Sequence, residues 1–111
     1  MALAKKYRLP KKEIDRLFKQ GKTVRNSFFF IRFLKNNAGY LRAAVVVPAK
    51  IAKKAVARNR IKRIFTEAIR SGHFLEKSCD IAIVATVDIV EKRSKKINRE
   101  IQQTINKIIS Q

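Results

Sequence analysis

The chain has 111 residues, 27 Lys plus Arg and 8 Asp plus Glu, for a formal charge of +19. That length suits one domain over residues 1–111 and excludes a barrel enzyme or a two-domain dinucleotide enzyme. The 46% hydrophobic share is enough for a core, although so much self-repulsion predicts modest stability without a polyanion.

Residues 1–7 read as a flexible basic N-terminus. The opening MALAKKYRLP lacks the long apolar segment of a secretory signal, and no apolar run approaches the ~18 residues of a membrane-spanning helix. The expected setting is the cytoplasm, with RNA, DNA or an anionic membrane surface as partner. The lone Cys79 and lone His73 supply neither an internal disulfide nor a multi-cysteine zinc site. Each is expected to be structural.

Pro10 followed by KKEIDRLFKQ predicts a short helix that Gly21 ends. Ile14, Leu17 and Phe18 share one of its faces. The β-branched and aromatic run at 23–34 predicts a strand, long enough to hide a break, so three or four strands are expected in all. Alternation puts Phe28, Phe30, Arg32 and Leu34 on one face and Phe29, Ile31 and Phe33 on the other. Either helices cover both faces, or one is core and the other a stacking platform for unpaired bases.

A turn at 36–39 leads to a second strand at 40–47, stopped by Pro48. Residues 50–70 are helical in pattern, with Ala57, Ile61, Ile64, Phe65 and Ala68 forming an amphipathic stripe. The apolar run at 80–87 predicts a central strand. Residues 94–110 form a last helix, with Ser94 as its cap and Ile97, Ile101, Ile105 and Ile108 on one face. The elements make an α+β sandwich, a small central sheet with helices packed on it.

The eight acids are scattered singly or sit at ordinary ion-pair spacings. They assemble no carboxylate cluster for metal-dependent hydrolysis, so no catalytic residue is assigned. The cations are concentrated instead. Lys50, Lys53, Lys54, Arg58, Arg60, Lys62 and Arg63 fall within fourteen residues that contain no acid. Arg60, Arg63 and Arg70 lie on one side of the apolar stripe, Arg58 and Lys62 on the other. Guanidinium binds phosphate bidentately and stacks on bases, and Asn59 adds a donor between two arginines. A solvated face normally mixes signs. This one does not until Glu67, and nucleic-acid binding is the reading it supports. A membrane-surface role would need the apolar stripe exposed, whereas the flanking strands make it core. A structural RNA-binding protein, such as a ribosomal component, is the alternative.

The run AVARNRIKRIFTEAIR at 55–70, with the Lys-rich turn before it, resembles the core motif of the bacterial ribonuclease P protein family. RLPKKEIDRLFKQGKTVRN and DIAIVA are similar to the family in order and spacing, so the resemblance covers about Arg8 to Ile108. It implies an α-β-β-β-α-β-α fold with a left-handed crossover. It also implies a ribonucleoprotein endoribonuclease whose large RNA carries the catalytic centre and holds the Mg2+. The partners implied are ribonuclease P RNA and precursor tRNA, with no obligatory protein partner and no membrane. The reaction implied removes the 5′ leader of precursor tRNA. Arg58, Asn59, Arg60, Lys62 and Arg63 match the RNA-facing motif. Ile14, Phe18, Phe30 and Arg32 match a cleft for the single-stranded leader. Ile14 and Arg32 stand where many relatives carry aromatics, Thr66 and Thr86 where arginine is frequent, and Lys53 where glycine is.

Overall fold

The computed structural model describes residues 3–72, 74, 76–88 and 94–110; His73, Glu91 and the first two residues lie outside that set. Helix α1 spans Lys11–Gln20, α2 Ala55–Ser71 and α3 Ser94–Ile109. The strands are β1 Lys22–Arg25, β2 Phe29–Lys35, β3 Arg42–Val46 and β4 Cys79–Ala85. They form one mixed sheet in the order β1-β2-β4-β3. β4 pairs antiparallel with β2 and parallel with β3, and every one of its residues is buried. Its unbroken apolar sequence follows from that place, since a strand covered on both faces has no wet side to alternate toward.

The long apolar run does contain a break. The Asn26 side chain accepts a hydrogen bond from the Phe28 amide at 2.9 Å, and the Asn26 amide donates to the Phe29 carbonyl at 2.8 Å. This Asx-type turn folds β1 back on β2 and pairs Arg25 with Phe30. It also takes Phe28 off the strand, so Phe28 packs toward the main core and does not share the Phe30 face.

That main core lies on one side of the sheet. Phe29 and Ile31 of β2 and Ile81 and Ile83 of β4 meet Ile61, Phe65, Ala68 and Ile69 of α2 and Ile97, Ile101 and Ile105 of α3. The Phe29 and Phe65 rings pack edge-to-face with centroids 6.0 Å apart. On the other side α1 covers a smaller cluster, where Leu9, Leu17 and Ala82 pack with Ile14, Leu34 and Ala44. Gly21 lets α1 approach, because a Cβ there would stand 2.5 Å from the Leu17 carbonyl oxygen and 2.9 Å from that of Phe33.

The N-terminal segment departs from expectation. From Leu3 onward it is packed, not a loose basic arm. Leu3 is in the main core, Lys5–Tyr7 form a 3-10 turn, and the Leu9 amide donates to the Ala43 carbonyl at 3.0 Å. The sheet edge at β3 supplied partners that local composition could not reveal.

Candidate nucleic-acid interface

The basic helix is anchored as its stripe predicts. Ile61, Ile64, Phe65 and Ala68 are buried, Ala57 is partly buried, and Ile69 extends the stripe. Helix α2 begins at Ala55, so Lys50, Lys53 and Lys54 lie in the preceding turn, and all three are exposed. Asn59, Lys62 and Arg63 are exposed on the helix itself. With Arg8 and Thr66 they flank an open groove of about 650 Å3 above β3.

Two arginines of the run are put to structural use. Arg58 Nη1 donates to the carbonyl oxygens of Lys53 at 2.8 Å and Ala52 at 3.1 Å, and so braces the turn that carries the lysines. Arg60 Nη2 lies 3.9 Å from Asp88, just beyond β4. The helical wheel placed both on outward faces, but it carries no information about which carbonyls the preceding turn folds against them.

The second candidate surface lies under α1, on the opposite side of the sheet. Phe18 is 39% exposed and Ile14 half-buried. Phe30 and Arg32, alternate residues of β2, are partly exposed on the face that α1 covers. Arg32 donates to the carbonyl oxygens of Leu17, Phe18 and Gly21 at 3.3, 2.6 and 3.0 Å, and to Thr23 Oγ1 at 2.9 Å. One guanidinium thus bridges the last turn of α1 and the Gly21 carbonyl just past it, and supplies a donor to the Phe18 carbonyl left open at the helix end. It also stands 5.6 Å over the Phe18 ring, while Arg25 stands 5.4 Å over Phe30. Each aromatic of the cleft carries a cation on its face. Arg25 went unassigned at the sequence level; a hairpin turn read with Ser27 and Phe28 at its tip would have set it opposite Phe30.

Beside the cleft, Arg42 binds the buried Asp80 through two charge-assisted bonds, Nε to Oδ1 at 2.8 Å and Nη2 to Oδ2 at 2.9 Å. Asn36 Nδ2 donates to Asp80 Oδ1 at 2.7 Å, and Glu13 of α1 lies 3.8 Å from Arg42. The hydrogen bond to Asp80 holds the Arg42 pKa above its ordinary value. Most described acids are similarly occupied. Glu13 pairs with Arg16, Glu67 with Arg70, and Glu100 accepts from Asn26. No three His, Cys, Asp or Glu side chains among the described residues converge to hold a metal ion. The donor set among the described residues therefore does not fit a magnesium site built from protein side chains.

An apolar-anchored basic helix on one side of a sheet, and an aromatic cleft lined with guanidinium on the other, define a small RNA-binding protein of α+β architecture. A family model, Ribonuclease P, matches residues 3–109. The chain belongs to the ribonuclease P protein family, and its role is that of a protein subunit in tRNA processing. It is 34% identical over 102 residues to the ribonuclease P protein component of Legionella pneumophila, covering 92% of this chain and 88% of that one. It is 31% identical over 101 residues to that of Clostridioides difficile, covering 87% and 88%. Among solved structures, the Thermotoga maritima RNase P protein superposes with a TM-score of 0.69 at 27% identity, over 92% of this chain and 94% of that one. A Staphylococcus aureus RNase P protein mutant, described as defective in mRNA degradation activity, superposes with a TM-score of 0.70 at 26% identity, over 96% and 87%. No described helix is long and apolar enough to cross a membrane.

Proposed function

We propose that the chain works with two separate surfaces in the cytoplasm. The exposed cations around the start of α2, Lys50, Lys53, Lys54, Lys62 and Arg63 with Asn59, bind the catalytic RNA. The cleft of Ile14, Phe18, Phe30 and Arg32 holds the single-stranded 5′ leader of precursor tRNA. Arg58 and Arg60 take part by setting the shape of the basic surface. The observation that carries this reading is the placement of the two surfaces on opposite sides of one sheet, which lets the protein bridge enzyme RNA and substrate. The chemistry and its Mg2+ belong to the RNA, a reading supported by the engagement of most described acids, Glu13, Glu67, Asp80 and Glu100 among them, with cations and amides. No obligatory protein partner enters the scheme.

Precursor-tRNA cleavage at low magnesium tests it, comparing protein alone, a bacterial ribonuclease P RNA alone, and the two mixed. Cleavage at the mature 5′ end in the mixture only is the expected result. Lys62→Ala should weaken binding to the catalytic RNA. Phe18→Ala should weaken precursor over mature tRNA by about tenfold, within the ~1–3 kcal/mol of a stacked base. Cleavage by protein alone, or equal loss of both partners in both variants, would overturn the two-surface reading.

A further inference from the structure

Helix α3 carries a second pattern beside its isoleucine stripe. Lys95, Asn98, Arg99 and Gln102 recur at i, i+3, i+4 and i+7, so they share one face. The buried isoleucines hold α3 on the main-core side of the sheet, next to α2. The polar face then walls an open groove of about 600 Å3. Arg63 and Glu67 of α2 form the other wall, over the buried Ile64. Arg63 also lines the groove above β3. The exposed ridge of α2 therefore stands between two grooves of similar size, with one arginine common to both.

The α2–α3 groove is lined mainly by donors. Lys95 and Arg99 are exposed, and no described carboxylate forms an ion pair with either. Glu67, the one acid lining it, lies 3.0 Å from Arg70. A relay fixes the polarity of the two amides. The Ser71 hydroxyl donates to the Glu67 carbonyl oxygen at 2.8 Å, so its own oxygen accepts from Gln102 Nε2 at 3.1 Å. Gln102 Nε2 also donates to Asn98 Oδ1 at 2.7 Å. Asn98 is thereby left with Nδ2 as a donor that bonds nothing among the described residues. Two cations and an amide donor of fixed polarity, within about two turns of one helix, suit a ligand made of acceptors. A phosphodiester backbone is such a ligand.

We infer that the α2–α3 groove takes backbone phosphates of the catalytic RNA. Lys95 and Arg99 pair with them, and Asn98 Nδ2 donates to a phosphate oxygen. The occupant is the catalytic RNA and not precursor tRNA, because the groove shares Arg63 with the basic surface and lies across the sheet from the cleft. Helix α2 is then held between two backbone tracts and not laid against one. The inference rests on the reading of the basic surface given above.

The test measures binding of the full chain to a bacterial ribonuclease P RNA across a salt series, without and then with precursor tRNA. Lys95→Ala/Arg99→Ala is expected to lower the salt slope by about 1.4–1.8, two phosphates at ~0.7–0.9 each. Lys77→Ala/Lys107→Ala removes the same charge from exposed positions outside both grooves and should change the slope by less than half as much. Asn98→Asp keeps an oxygen for Gln102 but puts a carboxylate in place of the amide donor. It should weaken binding by about tenfold or more, with the melting temperature unchanged, because like charges then meet across the interface. Equal slopes for the two double variants, or wild-type affinity in Asn98→Asp, would overturn the groove assignment. A loss that shows only once precursor tRNA is present would give the groove to the substrate and overturn it too. Lys62→Ala reports the basic surface separately. If that variant keeps the wild-type slope, the basic-surface reading fails and takes the groove with it. If Lys62→Ala lowers the slope but Lys95→Ala/Arg99→Ala does no more than the remote pair, only the groove fails.

Discussion

Arg32 and Phe18 are joined twice: the guanidinium donates to the Phe18 carbonyl oxygen at 2.6 Å and stands over the Phe18 ring at 5.6 Å. The same side chain closes the end of α1 and sets the one exposed aromatic of the cleft. An exposed ring is therefore oriented by its neighbour on β2, not by burial. The stability of the α1 terminus and the setting of the cleft aromatic are coupled through a single residue.

Removing that residue should show the coupling. Arg32→Ala is expected to cost about 1.5–3 kcal/mol, the range for hydrogen bonds from a charged donor, read as a lowered urea midpoint. Arg32→Lys should recover only part of it, because one ammonium cannot reproduce a planar fork spread over three carbonyls and a hydroxyl. Full recovery by lysine would show that charge alone suffices.

The Arg42–Asp80 pair predicts a larger effect. Arg42→Ala leaves Asp80, 2% exposed, without its ionic partner. Stranding a buried charge costs about 3–5 kcal/mol, much of the total stability of a small domain. Replacing Asp80 as well, as Arg42→Met/Asp80→Leu, should restore much of the loss. Chemical denaturation of the wild type, the single variant and the double variant distinguishes a stranded charge from lost packing.

The two kinds of cation near α2 should separate in a salt titration. Lys62→Ala is expected to leave the melting temperature unchanged and to lower the salt slope of RNA binding by about 0.7–0.9, one phosphate contact. Arg58→Ala should instead lower the melting temperature, because the Ala52 and Lys53 carbonyls lose their donor. If Arg58→Ala changed only the slope, its bonds to the turn would be incidental.

Cys79 supplies a pH dependence. Burial pushes its thiol up to about 11 from an ordinary 9.0. The folded state then holds its proton more tightly than the unfolded chain does. The associated stability is complete below about pH 9 and is lost as pH rises toward 11. Melting temperature across that window should fall further in the wild type than in Cys79→Ala. The lysines titrate in both proteins, so the difference between the two curves isolates the thiol.

How much of this was legible in sequence depends on the range of the interaction. The stripe of α2, the isoleucine face of α3 and the central place of β4 follow from periodicity and unbroken apolarity, and the fold has them. The break at Asn26 was legible only as a surplus of length, because an Asx turn needs one side chain and one amide, not a Gly or Pro. The packed N-terminal segment was hidden because its partner, Ala43, lies 35 positions from Arg8 in sequence. The roles of Arg32 and Arg58 were hidden for a related reason. An arginine written beside aromatics or other cations looks like a ligand group, and only the fold reveals a carbonyl within its reach. The positions offered as cleft residues do come together under α1, but Arg32 arrives already occupied.

The strand order carries a consequence for synthesis. β2 and β3 each pair with β4 and not with each other, and β4 is the last strand made. Until Ala85 has left the ribosome, the chain holds a two-stranded hairpin, a lone strand and a strongly basic helix with no shared sheet to dock on. An isolated hairpin is marginal in water, and non-local pairing is slow to form. The nascent chain therefore presents its densest positive charge to surrounding ribosomal RNA before it has a core. Docking of α2 and α3 on a complete sheet therefore waits for β4, whose residues supply the middle of the core.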